Sequence, residues 1–135
     1  MKVKVLFEAR FKIVGVMDGN SCPAEEFLLE GEDDRCRLGL IAILEFLAEN
    51  GLDKASAAWL HEANKQDRIY EFIKGPLRLF FFKGADGQIA VCTSGVRKKG
   101  SKADKHAVAQ AAKLRALYEA AMTDHTLEII EDEED

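Results

Sequence analysis

RIYEFIKGPLRLFFFKGADGQIAVCTS, residues 68 to 94, decides the fold. Three runs within it, RIYEFIK, LRLFFFK and QIAVCTS, alternate with a period of two and are rich in β-branched and aromatic residues, which is the pattern of strands. Gly75-Pro76 joins the first pair, and the stretch from Gly84 to Gly87 joins the second. Connections this short and glycine-bearing make antiparallel hairpins. Phe80, Phe81 and Phe82 put rings on both faces of the middle strand, so that strand is expected at the centre of a meander, covered on both sides.

Working toward the N-terminus, LDKASAAWLHEANKQD (52–67) reads as a weak helical turn running into a loop. EDDRCRLGLIAILEFLAENG (32–51) predicts a helix with Cys36, Leu40, Ile43, Leu44 and Leu47 at helical spacing and Asn50-Gly51 as its stop. CPAEEFLLEG (22–31) predicts a shorter one, with Pro23 at the first helical position, Glu25 and Glu26 at the positive end of the helix dipole, and Gly31 as terminator. Two helices so closely linked form a hairpin. KVKVLFEARFKIVGV (2–16) alternates, with Leu6 an exception, and reads as one long strand, bent or bulged near Ala9. Beyond the meander, SKADKHAVAQAAKLRALYEAAM (101–122) predicts a helix capped by Ser101, with Ala107, Val108, Ala111, Leu114, Tyr118 and Ala121 as its apolar stripe. The expected class is α+β, with a helical hairpin and a C-terminal helix packed on a small antiparallel sheet, in the order β-α-α-β-β-β-α.

The 135 residues suit one domain, expected over residues 1–122, and an acidic tail over 123–135, expected to be flexible although Leu127, Ile129 and Ile130 can dock. Cys22, Cys36 and Cys92 are odd in number and widely spaced, without a CxxC, which argues against a disulfide framework or structural zinc. The longest apolar run, Leu38 to Ala48, is too short to span a membrane, and the N-terminus lacks a signal-peptide core, so a cytoplasmic protein is expected. No nucleotide-binding glycine loop and no metal-like spacing occurs, so no cofactor is expected.

The net charge of −5 hides an asymmetry. Residues 65–115 hold 12 basic and 4 acidic side chains, while residues 116–135 hold 8 acids and no base. Five cations crowd the ten positions from Arg97 to His106. Local positive potential attracts polyanions even when the total charge is negative. Alternatives for the cluster are a solvated turn or a docking patch.

Taken together, CPAEEFL, the stretch IYEFIKGPLRLFFFKGADGQIAVCTSGVRKKGSK with its arginine early in an aromatic-rich strand, and KHAVAQAAKLRALY ending in Arg and Tyr resemble the RelE/ParE toxin superfamily, in its HigB-like, phage-derived branch. The match covers roughly Cys22 to Tyr118. The resemblance implies the toxin of a type II toxin–antitoxin pair, a metal-independent endoribonuclease that cuts ribosome-bound mRNA, with a helix-turn-helix antitoxin, the ribosome and mRNA as partners. The chain departs from that family in its acidic balance and in lacking a Tyr-His run after the last meander strand. A non-catalytic protein-binding module of phage origin and a ParE-like gyrase inhibitor are therefore alternatives.

Metal-free RNA cleavage needs the 2′-hydroxyl held in line with the phosphate, one proton removed, another supplied, and fixed cations on the phosphoryl oxygens. Arg78 and Arg97 are the expected clamps, because a guanidinium is permanently charged and grips two oxygens. Arg78 on an otherwise apolar strand face equally fits a structural pair with Glu71. Lys74, Lys98, Lys99 and Lys102 are expected to bind RNA, with the following helix N-terminus adding N–H donors. His61 and His106 are the histidines nearest the basic region and either suits proton transfer, since imidazole titrates near neutrality; His61 is the candidate placed with the catalytic residues.

Overall fold

The computed structural model describes residues 1–30, 34–99 and 104–131. In chain order its elements are β1 (Lys2–Glu8), β2 (Lys12–Val16), α1 (Pro23–Leu29), α2 (Asp34–Asn50), a 3-10 turn at Leu52–Lys54, β3 (Leu60–Asn64), β4 (Ile69–Lys74), β5 (Leu77–Phe82), β6 (Gln88–Arg97), α3 (Lys105–Thr123) and β7 (Glu128–Ile130). The strands form one seven-stranded sheet in the spatial order β3-β4-β5-β6-β2-β1-β7. Pairing is antiparallel within β3-β4-β5-β6 and in β1-β2, and parallel where β2 meets β6 and where β1 meets β7.

This corrects the expected small, RelE-like antiparallel sheet. The sheet is mixed and larger, and the chain order is β-β-α-α-β-β-β-β-α-β rather than β-α-α-β-β-β-α. Each difference has a physical cause. The first alternating stretch is two strands: the chain reverses at residues 9–11, where Ala9 N–H donates to the Phe11 carbonyl and Phe11 N–H donates to the Ala48 carbonyl at the end of α2. Val3 and Val5 of β1 pack on the α3 side whereas Ile13 of β2 packs on the α1–α2 side and β2 is buried on both faces, so the apolar–charged alternation of the sequence runs through the reversal without marking it. β3 forms where a loop was expected, because β4 offers an open edge for it to pair with. β7 lies beside β1 through a long-range parallel pairing of Glu128, Ile129 and Ile130 with Lys2, Val3 and Lys4.

Helices cover both faces. Phe72, Leu79 and Phe81 join a core with Ala24 and Leu28 of α1 and Leu40, Leu44 and Leu47 of α2. On the other side Ile69, Phe80, Phe82 and Val91 pack against Ala107, Val108, Ala111 and Tyr118 of α3. Phe72 and Phe81 stack with centroids 4.0 Å apart and planes within 10°. Gly95 of β6 carries a close approach of α1, since a Cβ there would collide with the Phe27 ring. Arg37 of α2 ties the two helices by donating from Nη1 to the Leu29 carbonyl at 2.9 Å, which satisfies an orphan acceptor at the end of α1. Asp104 caps α3, its carboxylate accepting from Ala107 N–H at 2.9 Å; Ser101, the expected cap, lies outside the described residues.

No helix of the described residues is long and apolar enough to cross a membrane. Cys22 and Cys92 are buried, Cys36 is half-buried, and none of the three is in a disulfide. Burial pushes the Cys22 and Cys92 thiols up from their ordinary range.

Tyr118 joins α3 to the β5–β6 turn. Its hydroxyl donates to Gln88 Oε1 at 2.7 Å and accepts from Ala85 N–H at 3.2 Å, and burial raises its pKa. Tyr118→Phe leaves the buried Gln88 oxygen without that donor, and the expected loss is about 1–3 kcal/mol. Urea unfolding checks it; an unchanged midpoint would show that this bond contributes nothing.

Candidate functional site

Past the N-terminal end of α3, no helix among the described residues covers the sheet face. A cavity of about 660 Å³ opens there, lined by residues of β3, β4, β5 and β6 and by Lys98, Lys99 and Asp104. The strand registers explain its floor. His61 lies opposite Glu71, and Glu71 opposite Phe80, so these three form one row across β3, β4 and β5. Arg78 lies between Ile73 on one side and Val96 on the other. Directly paired residues share a sheet face, so His61, Glu71, Arg78, Phe80 and Val96 project from the α3 side. Arg97 ends β6 at the rim, and Lys98 is held beside it by its backbone N–H donating to the Pro76 carbonyl at 2.7 Å.

Five of the residues singled out from sequence therefore line one cavity: His61, Arg78, Arg97, Lys98 and Lys99. Lys74 is elsewhere. It shares the opposite face with Phe72, where its aliphatic stem lies against α2 so closely that a Cβ on Gly39 would come within 2.6 Å of its Cε. Lys102 lies outside the described residues.

Of the acids, the sequence pointed only to Glu71, as a structural partner for Arg78. Glu62, Glu71 and Asp104 line the cavity with the cations, so its positive excess is small. The α3 N-terminus, expected to add free N–H donors for an anion, brings its own anion in the Asp104 cap. Glu71 carried a readable signal: strand alternation places it between Ile69 and Ile73 on one face, where an unpartnered carboxylate would be unfavourable.

Arg78 is both anchored and incompletely satisfied. Its Nη1 donates to the Gly75 carbonyl at 2.7 Å and the Leu77 carbonyl at 2.9 Å, which fixes the guanidinium at the β4–β5 turn. Its Nε is 3.9 Å from Glu71 Oε1, within ion-pair range but too far for a hydrogen bond, and this buried Nε has no hydrogen-bond partner. Both side chains are about 15% exposed, at 15% for Arg78 and 14% for Glu71. A buried donor without an acceptor has a strong preference for any oxygen that enters.

Among the described residues, no group of three or more His, Cys, Asp or Glu side chains is placed to hold a metal ion. No protein-family model matches the chain, and no curated protein sequence matches it.

The long Arg78–Glu71 contact predicts weak coupling. A double-mutant cycle of Glu71→Gln with Arg78→Met is expected to give about 1 kcal/mol or less, the range of ion pairs that lack good geometry. A coupling of several kcal/mol would show a closed structural pair with no capacity left for a ligand.

Proposed function

We propose that the cavity binds RNA and cleaves it by attack of the 2′-hydroxyl on the adjacent phosphate. The observation that carries this reading is the convergence of an imidazole, a carboxylate and an incompletely bonded guanidinium from three neighbouring strands, His61, Glu71 and Arg78, beside Arg97 and two lysines. Each step has a group suited to it. The Glu71 carboxylate takes the 2′-hydroxyl proton as the 2′-oxygen bonds to phosphorus. His61, as imidazolium, gives a proton to the departing 5′-oxygen. The products are a 2′,3′-cyclic phosphate and a 5′-hydroxyl end. Arg78 and Arg97 hold the non-bridging oxygens, where negative charge builds. Lys98 and Lys99 attract the flanking phosphates, a role that does not require fixed geometry. No step needs more than the chain's own side chains.

The resemblance to the HigB-like branch of the RelE/ParE toxins supports a biological setting for this chemistry. In that setting the chain is a cytoplasmic toxin that acts on ribosome-bound mRNA and is silenced by a helix-turn-helix antitoxin. The second reading is a non-catalytic docking module or gyrase binder. The three acids in the cavity and the anchoring of Arg78 to backbone carbonyls favour it.

Growth arrest on induced expression, scored in site variants, tests the assignment of these residues. Replacing Arg78 and Arg97 together by Ala, or Glu71 by Gln, is expected to abolish arrest while the circular dichroism spectrum is retained. Loss of a single acid–base group lowers such rates about 10²- to 10⁴-fold. Full toxicity in a folded Glu71→Gln protein would remove this carboxylate from the mechanism.

A further inference from the structure

At the other end of β4, where β3 turns into β4, a second cavity of about 350 Å³ is lined by Arg68, Tyr70, Lys83, Arg115 and Glu119. Three of its five lining side chains are cations and one is an acid. The register Tyr70↔Phe81 lies three residues, roughly 10 Å, along β4 from Ile73↔Arg78, with Tyr70 projecting from the opposite face, so an RNA strand that reaches both cavities rounds the β3–β4 end of the sheet.

The cations here are positioned rather than merely crowded. Arg115 donates from Nη1 to the Asp67 carbonyl at 2.7 Å and from Nε to Glu119 Oε1 at 3.0 Å, which fixes its guanidinium against the β3–β4 turn. Lys83 Nζ sits 5.0 Å from the centroid of the Tyr70 ring, whose own position is set by stacking on Phe81 at 5.5 Å. A cation over an aromatic face keeps its N–H donors available, because the ring attracts the charge without accepting a directed hydrogen bond. Arg68 occupies the left-handed region at φ 54°, a conformation that glycine adopts without strain and arginine does not. Asn64 completes the turn by accepting from Asp67 N–H through Oδ1 at 2.8 Å, so the turn does not depend on the Arg68 side chain. Among the described residues neither Arg68 nor Lys83 has an ion-pair partner. Two unneutralised cations and an anchored guanidinium around one hollow form a receptor for a tetrahedral anion with several oxygens.

We propose that this second cavity holds a phosphate of the same single-stranded RNA whose cleavable bond lies in the first. The inference rests on the RNA reading of the first cavity and adds the strand's second point of attachment, made by Arg68, Lys83 and Arg115. The ring edge of Tyr70 and the apolar stem of Lys83 complete a surface suited to a nucleotide, in which a flat base adjoins each phosphate.

The test is Arg68→Gly combined with Lys83→Gln in the full chain. Glycine relieves the left-handed backbone, so the turn is retained; thermal unfolding confirms it. Binding of a fluorescein-labelled single-stranded RNA oligonucleotide is followed by anisotropy across a salt series. Each lost phosphate contact lowers the slope of log K against log salt by about 0.7. The double variant is therefore expected to bind about tenfold more weakly at low salt, with a slope shallower by about one unit. An unchanged slope overturns the second subsite, whatever growth arrest shows for the first. Binding of inorganic pyrophosphate that disappears in the variant, with RNA binding unaltered, overturns the RNA assignment in favour of a free phosphate ligand. A wild-type protein with no measurable RNA affinity overturns the proposal as well.

Discussion

Three consecutive phenylalanines on β5 hold the molecule together. Phe81 faces α1 and α2, while Phe80 and Phe82 face α3, so one strand anchors both helical layers. That arrangement requires β5 to be flanked on both sides, by β4 and β6, and fully covered on both faces. Phe80, Phe81 and Phe82 are each at most 1% exposed. Complete burial of adjacent aromatic residues on opposite faces leaves little freedom in register, because a slip by one position would exchange the two cores.

The site follows from where that coverage stops. α3 begins at Lys105 and covers Phe80 and Phe82, but β5 starts three residues before Phe80, and Arg78, two residues before it, shares its face. Arg78 thus lies at the border between packed core and open cavity. It can be charged there because two backbone carbonyls of the β4–β5 turn receive its Nη1. The lining acids keep the basic junction from being a simple polyanion sink, and they give the face proton acceptors as well as donors. The described end of the chain runs the other way. β7 docks on the far edge of the sheet, where Glu128 lies 3.8 Å from Lys2 and Glu131 lies 3.8 Å from Lys12. These acidic residues are accordingly not at the cavity.

The helices and the meander were legible because their periods persist over enough residues to exclude the alternative. Leu40, Ile43, Leu44 and Leu47 cannot share a strand face, and Ile69 to Phe82 cannot share a helix face. The reversal between Glu8 and Lys12 was not legible, since residues 9–11 contain neither glycine nor proline and the alternation of apolar and charged residues runs through them. β3 was missed because an edge strand buries little: His61 and Glu62 are exposed, so the apolar alternation that marks β4 is absent. β7 pairs with residues more than a hundred positions away, and nothing local encodes that. For the site, the placement of Lys74 was recoverable. A two-residue turn at Gly75-Pro76 puts Lys74 opposite Leu77, which sends Lys74 and Arg78 to opposite faces. The partnership of His61 with Glu71 was not recoverable, because it depends on the strand that went unrecognised.

Mapping cleavage sites tests the central claim most directly. Purified protein is added to a translating extract, and mRNA 5′ ends are located by primer extension, with a parallel reaction lacking ribosomes and another containing the Glu71→Gln protein. The account predicts new, sequence-registered 5′ ends with wild-type protein in the translating reaction and their loss with Glu71→Gln. Intact mRNA in the presence of folded, partner-free wild-type protein would contradict it and make the cavity a docking surface.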